Sequence, residues 1–210
     1  MRTRSTLLIS ALAATLLMAF AVSSASASRL SVSNRNFRAV WNLLTLEAAG
    51  VTMTCPLTLE GSFHSATLAK ITGALIGHIS RASVRGEPAE CLNTATATIS
   101  ALPWHVVYGG FQGTLPRPTG LNLSLIGLRL RFDPAGRLPG CTATSSTASP
   151  ARVIANLESG GTVTGLTTDP AGEIPLSEGF GCALYTMSYS GTGAFRLLGS
   201  ATTMLRVTLI

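Results

Sequence analysis

Glu60, Ser62 and His64 are an acid, a hydroxyl and an imidazole at two-residue spacing, the chain's nearest approach in print to a catalytic set. The spacing itself argues against that role. On an extended strand residues two apart are separated by about 6.5–7 Å at Cα, so Glu60 and His64 lie about 13 Å apart. One strand does not bring all three within the hydrogen-bond reach that a Ser–His–acid mechanism requires. Partners would have to come from other strands, and the chain has no Gly-x-Ser-x-Gly turn. Glu60, His64 and His105 are carried forward as a candidate polar-face site.

His64, His78 and His105 are the only histidines, separated by 14 and 27 residues. Those separations match no metal-ligand spacing, and each histidine falls within a strand pattern. Ordinary half-exposed strand histidines are the reading they support, with no metal and no cofactor expected. Glycoside hydrolysis would need two acids about 5–10 Å apart across a cleft. Glu60, Glu87, Glu90, Asp133, Glu158, Asp169, Glu173 and Glu178 are candidates, most of them in loops, and sequence does not pair them. Trp104, Tyr108 and Phe111 are close enough in sequence to form a stacking platform for a sugar; the competing role for such aromatics is core. No glycine-rich phosphate loop precedes a helix, so nucleotide chemistry is not supported.

These residues must be positioned by strands. From Val51 to His64, apolar Val51, Met53, Cys55, Leu57, Leu59 and Phe63 share one parity, with Gly61 the only gap. Threonines, Pro56, Glu60, Ser62 and His64 share the other, which is the signature of a half-buried strand. Ser31 to Glu47 alternates too, with a phase change at Leu43-Leu44 that predicts either a bulge or a strand buried on both faces. Ala48-Ala49-Gly50 then predicts a hairpin, pairing Trp41–Glu47 with Val51–Leu57. A helical turn is expected at Ser65–Ala69, then a strand over Lys70–Ser83. Further strands are expected at Thr94–Ser100 and Trp104–Tyr108, with Gly109-Gly110 and Leu115–Gly120 as breakers. Leu121–Phe132 reads as one strand bulged beside Gly127. In the second half, strands are expected at Cys141–Ala148, Ala151–Leu157, Thr162–Thr168, a short edge at Ile174–Leu176, Cys182–Tyr189, Ala194–Leu198 and Thr202–Ile210. Asp133–Gly136 and Asp169–Gly172 both read Asp-Pro-Ala-Gly, a turn sequence. About ten strands with little helix predict an all-β antiparallel sandwich or closed barrel.

Arg2 and Arg4 followed by the apolar run Leu7–Val22 and the small residues Ala25-Ser26-Ala27 read as a signal peptide over 1–27, cut after Ala27. A single secreted β domain over 28–210 follows. Phe111-Gln-Gly-Thr114 echoes Tyr189-Ser-Gly-Thr192, which raises duplicated halves over 28–135 and 136–210, with chance in a Thr/Gly/Leu-rich chain as the alternative. Removing Arg2 and Arg4 from fifteen basic residues leaves thirteen against nine acids, a net +4 of scattered arginines and one lysine. Without a basic cluster no nucleic-acid partner is expected. Stable membrane insertion after cleavage is not expected either, since the low aromatic content does not suit a membrane β-barrel.

Cys55, Cys91, Cys141 and Cys182 are an even set in an exported chain and predict two disulfides. Three connectivities are open; Cys55–Cys91 with Cys141–Cys182 is preferred because each closes a loop within one half.

The run Cys55-Pro-Leu-Thr-Leu-Glu-Gly-Ser-Phe-His-Ser65, with Leu75-Ile-Gly77 and Pro103-Trp-His105, resembles exported proteins of high-GC Gram-positive bacteria that have no assigned activity. The resemblance covers most of the mature chain and implies an exported location, nothing about catalysis. The function expected is a non-catalytic binding or cell-surface component; the sequence does not name its partner, and a cell-wall or extracellular glycan is one candidate. The alternative is a secreted hydrolase acting on polysaccharide or cell wall.

Overall fold

The computed structural model describes residues 29–48, 50–84, 91, 96–133, 140–169, 172–179 and 181–210. The segment 1–27 expected to be a signal peptide, the loop carrying Glu87 and Glu90, and most of the first Asp-Pro-Ala-Gly turn lie outside them. Among the described residues there are sixteen strands. The first half supplies β1 (Arg29–Val32), β2 (Asn36–Ala48), β3 (Val51–Phe63), β4 (Thr67–Ala69), β5 (Leu75–Val84), β6 (Thr96–Ser100), β7 (Trp104–Thr114), β8 (Arg117–Ile126) and β9 (Arg129–Asp133). The second supplies β10 (Cys141–Thr144), β11 (Ala151–Leu157), β12 (Val163–Thr168), β13 (Glu173–Ser177), β14 (Thr186–Ser190), β15 (Thr192–Leu197) and β16 (Val207–Leu209). One 3-10 turn, Cys182–Leu184, is the helical element among them.

Eight strands close an antiparallel barrel in the order β2-β3-β5-β7-β8-β11-β12-β15, with β15 returning to β2. Closure leaves the barrel strands no free edge. The hairpin of β2 and β3 is the spine. Its pairing runs from Ala48↔Val51 to Asn36↔Ser62, including the expected pairing of Trp41–Glu47 with Val51–Leu57 and extending beyond it. The phase change in β2 is a bulge: Trp41 pairs with Leu57 but Leu44 with Cys55. The extra residue keeps Trp41 and Leu44 both buried while Leu43 turns outward. It also marks a fork. Phe37–Val40 pair with β15 to close the barrel. Thr45–Ala48 pair with β14, which leads a second sheet, β14-β13-β10-β9-β6. The barrel interior and the buried side chains of this second sheet form one continuous apolar core. A small sheet, β16-β1-β4, brings Arg29 beside Ile210, and the two exchange backbone hydrogen bonds of 3.2 and 3.0 Å.

Both disulfides have the preferred pairing. Cys55–Cys91 ties β3 to the segment before β6, and Cys141–Cys182 ties β10 to the 3-10 turn. Each closed loop is worth about 4 kcal/mol in the chain-entropy treatment.

Several local expectations are corrected. Ser65–Ala69 contains strand, not a helical turn, because Leu68 is buried and pairs with Leu30. The strand after it begins at Leu75, since Gly73 (φ 86°) makes a turn closed by Ala74 N–H donating to Ile71 O. Gly109-Gly110 do not break β7. They absorb a register shift between Tyr108 and Gly110, and pairing continues to Thr114↔Arg117. Leu121–Phe132 is two strands, not one bulged strand. Gly127, at φ 78°, turns the chain from the barrel into the second sheet. Ile174–Leu176 is not an edge: β13 lies between β10 and β14, with Pro175 opposite Thr186. Strand count therefore exceeds the expected ten. The second Asp-Pro-Ala-Gly carries the i to i+3 bond of a turn, Gly172 N–H to Asp169 O at 2.9 Å.

Candidate functional site

An eight-stranded barrel can either be filled by side chains or hold a ligand. This one is filled. Phe37 sits between Phe63 and Phe195, with ring centroids 4.8 and 5.0 Å away. At Gly61, on the buried parity of β3, a Cβ would run first into the His78 carbonyl oxygen and would lie 2.9 Å from the Phe37 ring end, so backbone and ring together leave no room for one. Trp41, Leu59, Ile79, Val106, Leu123 and Leu166 line the same interior, which keeps a void of about 30 Å³. That is room for about one water, not for a sugar or a lipid chain. Function must therefore be sought on the outside.

The outside carries many polar side chains beside apolar ones such as Val40, Ile126 and Ile154. Arg38, Glu60, His78, His105, Asn122, Arg152 and Arg196 lie on the parity opposite the packed residues of their strands. A membrane-spanning barrel has the reverse polarity, with an apolar band outward. Among the described residues no helix is long and apolar enough to cross a membrane.

Two features stand out on this face. The first is a cross-strand row in which Ser62 on β3 opposes His78 on β5, and His78 opposes His105 on β7. His64, just beyond β3, stacks diagonally on His78 with ring centroids 5.7 Å apart at 37°. The structure thus puts His64 in ring contact with His78 and sets His105 opposite His78, without gathering the three around one point. Glu60 does not join them. It pairs with Arg38 at 2.5 Å and lies 3.9 Å from Arg81.

The second feature is a groove of about 560 Å³ over β7, β8 and β11. Gln112, Asn122, Ser124, Arg152 and Asp169 supply its polar lining. Arg152 and Asp169 face each other at 3.8 Å. Among the described residues the Asn122 side-chain Oδ1, buried there, has no hydrogen-bond partner. An unpaired buried acceptor costs about 1–3 kcal/mol and calls for a donor. The histidine row runs into this groove, because His105 opposes Ile126, which lines it. A larger hollow of about 800 Å³ lies between the β7–β8 turn, the β11–β12 turn and the C-terminal segment. Its Arg206 Nε is already spent on Gly160 O at 2.8 Å.

The aromatic candidates do not form a platform. Trp104 and Tyr108 are buried, 1% and 2% exposed, and the Trp104 indole N–H donates to Ser100 O at 3.0 Å. They face inward because they share the parity of Val106. Phe111 is half-buried, with the Lys70 ammonium 5.7 Å from its ring centroid. Most acidic candidates are engaged: Asp133 with Arg131, Glu178 with Arg129, and Glu173 with the Thr186 hydroxyl at 2.9 Å. Sequence reasoning passed over Glu47. In the structure Glu47 opposes Ser188, and Ser188 opposes Glu173, so two exposed acids flank one serine. Both line a hollow of about 250 Å³. No local signal could have paired residues that far apart in the chain.

Comparison with family models, with curated proteins and with solved structures gave no match to this chain.

Proposed function

We propose that this chain is an exported, disulfide-linked β-barrel protein acting without catalysis, as a binding or cell-surface component whose outer groove takes an extracellular or cell-wall glycan. Export is supported by the signal-like segment over 1–27 and by two disulfides. The observation that carries the binding reading is the buried, unpaired Asn122 Oδ1 in a groove also lined by Gln112, Arg152 and Asp169. Amide, guanidinium and carboxylate groups in one groove match the alternating donors and acceptors of sugar hydroxyls. The filled interior leaves no competing cavity in the barrel.

The test is a binding titration of residues 28–210 against isolated cell-wall polysaccharides and a glycan array. Saturable binding lost in Asn122→Ala and Arg152→Ala supports the reading. Absence of binding, or binding indifferent to both substitutions, refutes it. Intact mass under non-reducing conditions tests export separately: the secreted chain begins at Ser28 and has no free thiol.

The second reading, a polysaccharide hydrolase, is favoured by one observation, the Glu47–Ser188–Glu173 row. Two strand spacings place the acids' Cα atoms about 10 Å apart, compatible with the carboxylate separations used by glycosidases. Turnover of a cell-wall polysaccharide that is abolished by Glu47→Gln and by Glu173→Gln would favour this reading over the first.

A further inference from the structure

We propose that one end of the barrel docks on an anionic lipid surface, adsorbing through arginines and exposed aliphatic side chains without crossing it. The topology defines this end. There β2 begins, β15 finishes, and the chain crosses from β3 to β5, from β7 to β8 and from β11 to β12. The small sheet β16-β1-β4 covers it, with Leu30, Val32, Leu68 and Val207 packed into the core.

Charge is spread unequally over the molecule. Arg38, Arg81, Arg129, Arg131 and Arg152 each face a carboxylate. Arg29, Arg35, Arg117 and Arg206 are exposed, lie at the covered end, and take part in no ion pair among the described residues. Main chain holds two of them instead: Arg35 Nε–H donates to Phe63 O at 3.2 Å and Arg206 Nε–H to Gly160 O at 2.8 Å. Neither bond neutralises the cation. Of the described acids, Glu158 alone lies in the connections at this end. Arginines alone would suit any polyanion; the apolar side chains beside them favour a lipid surface. Ile71 is 67% exposed, Leu75 50%, Leu115 40% and Leu198 39%, all at the same end. Basic groups mixed with exposed aliphatics are what interfacial binding uses: cations meet headgroup phosphates, and aliphatics enter the acyl boundary. Arg117 and Arg206 also line the 800 Å³ hollow, a recess roomy enough for a headgroup.

The test uses residues 28–210, because the apolar run Leu7–Val22 would bind lipid by itself. Sedimentation with vesicles of equal parts phosphatidylglycerol and phosphatidylcholine should show binding that weakens with added salt, and none to pure phosphatidylcholine. An arginine near an anionic surface is worth about a fivefold gain in partitioning, so Arg29→Gln combined with Arg117→Gln should weaken binding by about 25-fold. Arg81→Gln combined with Arg131→Gln removes the same charge away from this end and should cost less than about fivefold. Leu115→Trp puts an indole on the β7–β8 turn. Its emission should shift to the blue with anionic vesicles and not with soluble polyphosphate, which shares the phosphate chemistry but has no apolar phase. All these positions are exposed, and unchanged melting temperatures establish that the variants are folded. No sedimentation with anionic vesicles, equal binding to pure phosphatidylcholine, equal losses in the two double variants, or an unshifted indole overturns the proposal.

Discussion

Phe37→Ala tests the claim that the barrel is filled and that any ligand is held outside. Phe37 is 2% exposed and lies between the rings of Phe63 and Phe195. Removing its ring opens a void on the order of 100 Å³, which at about 24 cal/mol per Å³ costs about 2.4 kcal/mol, and lost transfer energy adds about 2 more. The total, about 4 kcal/mol, is a large share of the roughly 5–15 kcal/mol by which domains are stable. Urea unfolding with disulfides intact should show a lower midpoint at unchanged slope. The melting temperature should fall by about 8–16 °C for a domain of this size. Joined to the existing 30 Å³, the new void approaches the roughly 150 Å³ known to admit benzene. Benzene should therefore raise the melting temperature of Phe37→Ala and leave the native protein unmoved. A loss below about 1 kcal/mol, or equal stabilisation of the native protein by benzene, would refute the filled-barrel reasoning.

Other outcomes follow from the same structure. Gly193 sits at the seam where β15 closes on β2, and a Cβ there would lie 2.7 Å from Val40 O and 3.0 Å from the Trp41 indole nitrogen. Gly193→Ala should lower the melting temperature measured by circular dichroism, because the nearest obstacle is backbone. Replacing Cys55 and Cys91 together by alanine should cost about 4 kcal/mol in urea unfolding, from loop closure over 36 residues. Tyr108 and Tyr189 ionise above the ordinary 10.0, chiefly because burial disfavours the phenolate. At Tyr189 the hydrogen bond from Arg152 N–H opposes that shift and Asp169 adds to it. Since the folded state holds these phenols neutral, their contribution is intact below pH 10 and is lost as pH rises through the folded values. Absorbance at 295 nm should show both titrating above pH 10, with melting temperature falling over the same range.

Much of this architecture was legible locally. The alternation of β3, the phase change at Leu43-Leu44 and the β2–β3 hairpin are properties of adjacent residues, where a period of two suffices. The disulfide pairing followed from preferring loops within each half. Glycines misled. Gly109-Gly110 and Gly127 look alike in a sequence; the first pair takes up a bulge within β7, and the last ends β8. Which occurs depends on whether a partner strand continues alongside. Trp104 and Tyr108, which the sequence left between a sugar platform and the core, are in the core.

Strand content, oxidised cysteines and the polarity of each strand's two sides are written in neighbouring residues, because they depend on side-chain type and pleat alone. Meetings across strands are not. His78 finds His105, Glu47 finds Glu173 beside Ser188, and the His78 carbonyl and Phe37 ring close on Gly61 only once register and closure are set. Register is a long-range compromise among bulges, core volume and chain connection, so the sites it creates come into being with the barrel itself.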